Sequence, residues 1–125
     1  MTLIDTNVIL RYLLNDIPEQ AQKSEEIINR GAFTLPKVVA EVVYVLYKLY
    51  NIPKEKINSI VSPIFDEVEI AHKDVVLSAL ELYSSTSLDF VDSLLISRNK
   101  LLGEKILSFD KKLNNKLQNP SYEVC

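Results

Sequence analysis

Cysteine is almost missing from this chain: the one copy, Cys125, is its last residue. No internal disulfide can form, which agrees with a reducing compartment. Glycine is nearly as scarce. With only Gly31 and Gly103 present, there is no glycine-rich phosphate loop and no dinucleotide fingerprint. His72 is the single histidine; without a second histidine or a cysteine pair, a zinc site has no basis. No nucleophile-elbow motif accompanies the serines, so a hydrolase triad has no support. Long apolar runs are absent as well. The longest uncharged stretch, residues 57–65, falls well short of the roughly 20 residues a membrane-spanning helix needs. No basic segment precedes an apolar block near Met1, so no signal peptide is expected. No sign of charge dominates either. The formal net charge is −3, so a polyanionic partner would have to be met by a local basic patch or a bound cation. These absences point to a cytoplasmic protein with no membrane association.

What is there suits one globular domain over residues 1–125. The chain is 47% hydrophobic and 25% charged, enough for a real core. Short apolar, β-prone runs alternate with helical patterns. Thr2-Leu3-Ile4 reads as a buried strand. A helix follows over residues 7–14, with Val8, Ile9, Tyr12 and Leu13 at helical spacing. Asp16-Ile17-Pro18-Glu19 resembles a capping box, opening a helix that runs to Arg30 and stops at Gly31. Residues 32–35 form a short strand. Pro36 opens a long helix to about Tyr50. Pro53 opens another, which Pro63 ends or kinks. Residues 68–71 read as a strand and 72–86 as a helix. Asp89 caps a helix that ends at Gly103. Strands are then expected over residues 105–109 and 122–124, with a short helix capped by Asp110 between them. The alternation predicts an α/β fold of three layers, α/β/α, around a central parallel sheet of four or five short strands.

Four carboxylates stand out against this pattern. Asp5 ends the first apolar run, and Asp110 follows the run over residues 106–109. Asp92 lies in the first turn of the helix that Asp89 caps. Glu41 is the only charged residue between Val38 and Tyr47. Each has a structural alternative: Asp5, Asp89 and Asp110 can cap helices, and Glu41 can pair with Lys37 or Lys48. An ionised carboxylate is costly to bury without a partner, and Glu41 is expected to be buried. In open α/β sheets, sites form beyond the carboxyl ends of the strands. Four acids at such positions suggest one shared cation, and hard oxygen ligands suit Mg²⁺ or Mn²⁺.

The spacing resembles that of a PIN domain, and most closely the short VapC-type toxin ribonucleases of toxin–antitoxin pairs. The matching pieces are Ile4-Asp5-Thr6-Asn7, Val39-Ala40-Glu41-Val42, Asp89-Phe90-Val91-Asp92-Ser93-Leu94-Leu95 and Leu107-Ser108-Phe109-Asp110-Lys111-Lys112-Leu113. The resemblance they mark covers essentially the whole chain. The resemblance implies a divalent-metal-dependent endoribonuclease. By position, Asp5, Glu41 and Asp92 match the core acidic residues and Asp110 a fourth. Asp89 matches an acidic position less clearly tied to catalysis, and Asn7 and Ser108 match supporting polar residues. Only Asp110 follows the last expected long strand where some relatives carry two acids, which leaves one or two metals open. Single-stranded RNA is the expected substrate, with Arg11, Arg98, Lys100, Lys111 and Lys112 as candidate phosphate contacts. The resemblance also implies a homodimer and a VapB-like antitoxin. Tyr44, Leu46, Tyr47 and Tyr50 are candidates for a partner surface, or else for internal packing. Three other readings remain: a PIN nuclease of RNA processing or turnover, a non-catalytic RNA-binding module, and a receiver-type domain. The last leaves Glu41 in mid-helix unexplained, and the second is expected to have lost one of the acids.

Overall fold

Three short parallel strands organise the chain. The computed structural model describes residues 1–118. β1 (Thr2–Leu3) leads through α1 (Thr6–Leu14) and α2 (Pro18–Arg30) to β2 (Ala32–Thr34). Next come α3 (Pro36–Lys48), α4 (Lys54–Val61) and a 3₁₀ turn (Ser62–Asp66) that leads into β3 (Val68–Ile70). α5 (Lys73–Ser85), α6 (Phe90–Leu102) and α7 (Lys111–Asn114) complete the described chain. The sheet order is β1-β2-β3, all parallel, with Thr2 opposite Ala32 and Phe33 opposite Glu69. β2 is central, and its Ala32 and Thr34 are buried.

The expected α/β architecture with a parallel sheet is therefore present, but the sheet has three strands among the described residues, not four or five. Two expectations change with it. β1 is not buried: Thr2 and Leu3 are exposed at the sheet edge, and burial begins at Ile4. Residues 105–109 form no strand. That segment is held instead by side-chain amides and by a core of its own. Asn99 donates to the Glu104 carbonyl (2.9 Å) and Asn114 to the Ser108 carbonyl (2.7 Å). Leu88, Ile96, Leu113 and Leu117 form a small apolar cluster against which Ile106 packs. A hydrogen bond donated by a buried asparagine amide does locally what a strand ladder would otherwise do. The expected strand over residues 122–124 lies outside the described residues.

The main core draws on every layer: Ile4, Ile9 and Leu10, Ile28, Ala32, then Val39, Val42, Val43 and Leu46 of α3, with Ile57, Val68, Val76 and Leu80. Leu46 is fully buried, so it packs internally, whereas Tyr44, Tyr47 and Tyr50 remain exposed. The helix ends obey local chemistry. Pro63 falls just after α4, which stops at Val61. Gly31 (φ 110°) turns α2 into β2 and Gly103 (φ 68°) ends α6, conformations that a residue with a Cβ rarely adopts. The capping box expected at α2 does not form. The cap position is Ile17, without a side-chain bond, because Asp16 instead pairs with Arg11 at 3.1 Å. No helix among the described residues is long and apolar enough to cross a membrane.

One long-range bond ties α1 to the entry of β3. The Tyr12 hydroxyl donates to Glu67 Oε2 at 2.5 Å. That bond, then burial and the nearby carboxylate charge, raise the phenol from 10.0 to about 12. A phenol whose pKa is raised by folding stabilises the fold fully below its unfolded value, and the contribution is lost as pH climbs from about 10 to about 12. Tyr12→Phe is expected to cost about 1 kcal/mol at neutral pH, the size of one hydrogen bond in a partly solvated place. The difference from wild type should disappear at strongly alkaline pH, as read by urea unfolding at several pH values.

Candidate functional site

Each acidic residue is placed by a backbone element, and three of the five sit at helix starts. The Ile4 amide donates to the Phe33 carbonyl (2.9 Å), and the Thr34 hydroxyl donates to the Ile4 carbonyl (3.0 Å). This pair of bonds fixes the chain where it leaves β1, so Asp5 begins α1 at the carboxyl edge of the sheet. Asp5 Oδ1 accepts from the Val8 amide at 3.1 Å. Asp89 Oδ1 accepts from the Asp92 amide at 2.7 Å, and Asp110 Oδ1 from the Leu113 amide at 3.2 Å. All three are N-caps, each using one carboxylate oxygen to satisfy a helix amide. The cap alternatives weighed from sequence are thus real structure. Ser108 supports Asp110 directly, its hydroxyl accepting from the Asp110 amide at 3.0 Å.

Glu41 departs from expectation. It is exposed, not buried. α3 buries Val39, Val42, Val43 and Leu46, and the helical period turns Glu41 to the opposite side with Tyr44 and Lys48. Its partner is neither Lys37 nor Lys48 but the Thr6 hydroxyl, which donates to Oε2 at 2.7 Å. Sequence reading gave Thr6 no role. The only signal was its position between Asp5 and Asn7. Asn7 itself faces solvent.

Asp92 is the half-buried member of the set. Burial pushes its carboxyl above the ordinary 3.8, the Asp89 and Asp110 charges push it further, and Lys112 pulls the other way. Asp89, Asp92 and Asp110 therefore share one electrostatic neighbourhood at the start of α6. α3 packs against α6, and a groove of about 500 Å³ lies between Ala40 and Tyr44 on one wall and Asp89 to Val91 on the other. Asp89 is the one acid of the set that lines this groove. Among the described residues, no three histidine, cysteine or acidic side chains are gathered closely enough to hold a metal ion. Four of the five carboxylates are turned toward a protein donor: Asp5, Asp89 and Asp110 toward helix amides, and Glu41 toward Thr6.

The candidate cations divide clearly. Arg11 is engaged by Asp16 and by the Tyr50 hydroxyl (3.2 Å), and Arg98 by Glu104. Lys100 lines a separate shallow pocket with Lys116. Lys112 stays beside the acids, donating to the Ser87 carbonyl at 3.4 Å. A lysine absent from the sequence expectations does more. Lys54, at the start of α4, donates to the Thr86 carbonyl (2.7 Å) and to the Leu88 carbonyl, and lies 4.5 Å from the Tyr83 ring centroid. Burial, then Lys112, lower its pKa. It fixes the three-residue approach to Asp89, and nothing in its sequence context announced that.

A family model, the PIN domain, matches residues 2–116 of the chain. No curated protein and no solved structure matches it. PIN domains share a nuclease fold, and their nucleases generally depend on divalent metal.

A carboxyl raised by folding binds its proton more tightly folded than unfolded. Its favourable contribution is complete below the unfolded value of 3.8 and is lost as pH rises through the folded value. At neutral pH the ionised Asp92 therefore destabilises the metal-free fold. Asp92→Asn is expected to raise the melting temperature at pH 7 in EDTA and to leave it unchanged at pH 3. A pH series of thermal melts checks both arms.

Proposed function

Because the chain belongs to the PIN-domain family, we propose that it is a divalent-metal-dependent endoribonuclease that hydrolyses RNA phosphodiester bonds. We read it as a VapC-type toxin of a type II toxin–antitoxin pair. The observation that supports this reading best is Asp92: a half-buried carboxylate in the first turn of α6, raised by its burial and by the charges of Asp89 and Asp110. Such a set favours a cation. The donors are all hard oxygens, and no soft or imidazole ligand competes, which fits Mg²⁺ or Mn²⁺. Among the described residues these carboxylates are not yet gathered around one point, so Asp5, Glu41, Asp92 and Asp110 would have to draw together to hold one or two ions, with Asp89 as a further ligand. Once bound, the ion supplies charge neutralisation at the scissile phosphate and lowers the pKa of the attacking water.

The chain's own residues divide the remaining work. The caps at Asp5, Asp89 and Asp110 hold three carboxylates by one oxygen each and leave the second oxygen for a cation or a water. Thr6 orients Glu41. Lys54 fixes the loop that delivers Asp89 and Asp92. Lys112 balances part of the negative charge beside Asp92 and stands ready for a phosphate. The substrate is single-stranded RNA, because a flexible strand can be bent into a recessed site. The resemblance to VapC-type proteins further suggests a cytoplasmic homodimer inhibited by a VapB-like antitoxin.

The test is cleavage of a labelled single-stranded RNA by the purified chain in Mg²⁺, in Mn²⁺ and in EDTA. Cutting is expected in metal only. Asp5→Asn and Asp92→Asn should each reduce it by at least ~100-fold, as for loss of a principal metal-site carboxylate. Full activity in both variants, or in EDTA, overturns the assignment. Retained RNA binding without cleavage by the folded wild type favours the non-catalytic module instead.

A further inference from the structure

The groove between α3 and the start of α6 contains more than its acidic end. Its floor is Tyr83 and Phe90, edge to face with ring centroids 6.2 Å apart. Lys54 closes that floor from below, its ammonium over Tyr83 and its donors committed to backbone carbonyls. The rim is different. Tyr44 is 61% exposed and Tyr47 39% exposed, although both lie on the groove wall. Lys48 rides on the rim with its ammonium 5.2 Å from the Tyr47 ring centroid, and it forms no salt bridge among the described residues. At the other end stands Asp89, three residues before Asp92.

These features specify an occupant with a flat apolar face, one negative charge and room to continue toward the acids. We propose that this groove binds one nucleotide of a single-stranded RNA, stacking its base on Tyr44 and Tyr47 and taking its phosphate on Lys48. The size fits, since pockets of about 300–1,000 Å³ accept small ligands. So does the charge: an exposed cation at the rim attracts a phosphate, while the Lys54 cation is already used. A duplex is excluded because its bases are stacked internally. Few polar side chains line the walls, Ser87 and Asp89 apart from the lysines, so the site takes any base, as stacking platforms do. The direction of the strand, from the groove to the acids, rests on the nuclease reading above; the binding does not.

The experiment keeps the two apart. Fluorescein-labelled hexauridylate and hexaadenylate are titrated with the full chain in EDTA at low ionic strength, and binding is read by anisotropy. Both oligonucleotides are expected to bind with similar affinity. Tyr47→Ala and Tyr44→Ala should each weaken binding ~10-fold, the usual effect of one lost stacking platform, with Tyr47→Phe close to wild type. Lys48→Gln should weaken it and flatten its salt dependence. Both tyrosines are exposed, so the variants keep the core, and a thermal melt verifies it. If the wild type cuts RNA, Tyr47→Ala raises KM and spares kcat. If it cuts nothing but tyrosine-dependent binding persists, the groove stands and the nuclease reading falls. Unchanged affinity in the Tyr44→Ala/Tyr47→Ala double variant overturns the groove. So does sedimentation equilibrium showing that Tyr47→Ala splits a dimer, since the face is then an interface between copies.

Discussion

The helical period of α3 is the constraint from which the rest of the site follows. Burying Val39, Val42, Val43 and Leu46 contributes on the order of 1.5–3 kcal/mol per side chain, and that burial permits only one rotation of the helix. Everything on the far side is then determined. Glu41 must turn outward to where the Thr6 hydroxyl meets it, and Tyr44, Tyr47 and Lys48 must line a groove. A slip of one residue would rotate the helix by about 100°, burying Glu41 in one direction and Tyr44 and Tyr47 in the other. The core thus fixes the orientation of the polar face without any polar residue contributing to it.

Structural and chemical roles coincide at the three capping aspartates. A helix start leaves several backbone amides without partners, and an aspartate satisfies one of them with a single oxygen. The cap also holds the carboxylate in one rotamer, next to the positive end of the helix dipole. Asp92, in the first turn of α6, gains from the same dipole while its neighbours Asp89 and Asp110 repel it. Carboxylates fixed in one rotamer are what a cation-binding site requires, so the capping role is compatible with the proposed one.

The sequence made much of this legible, for identifiable reasons. Helix boundaries at Gly31, Pro36, Pro63, Asp89 and Gly103 were readable because each residue acts through its own backbone. The positions of Asp5, Asp89 and Asp110 were readable as caps on the same grounds. What misled was context. The apolar run at residues 106–109 has the composition of a strand, yet buried Asn114 claims its Ser108 carbonyl and buried Asn99 the Glu104 carbonyl just before it. Glu41 lies between apolar neighbours, but apolar neighbours in sequence do not mean apolar neighbours on a helix face. Arg11 and Asp16 are five residues apart, and their pairing removed the cap expected at α2. Lys54 acts over more than 30 residues on two carbonyls, a distance that no local pattern encodes.

The second apolar cluster has its own consequence. Leu88, Ile96, Leu113 and Leu117 share few partners with the main core, and the segment that carries Ser108 and Asp110 leans on them and on the Asn99 and Asn114 amides. Such an annex is a separate cooperative unit, free to open at a lower free energy than global unfolding. Asp110 therefore rides on the part of the domain most able to open by itself, and its charge acts on Asp92 only while the annex is docked. Any ligand that needs Asp110 then acts as a clasp: it selects the docked form and stabilises it by mass action.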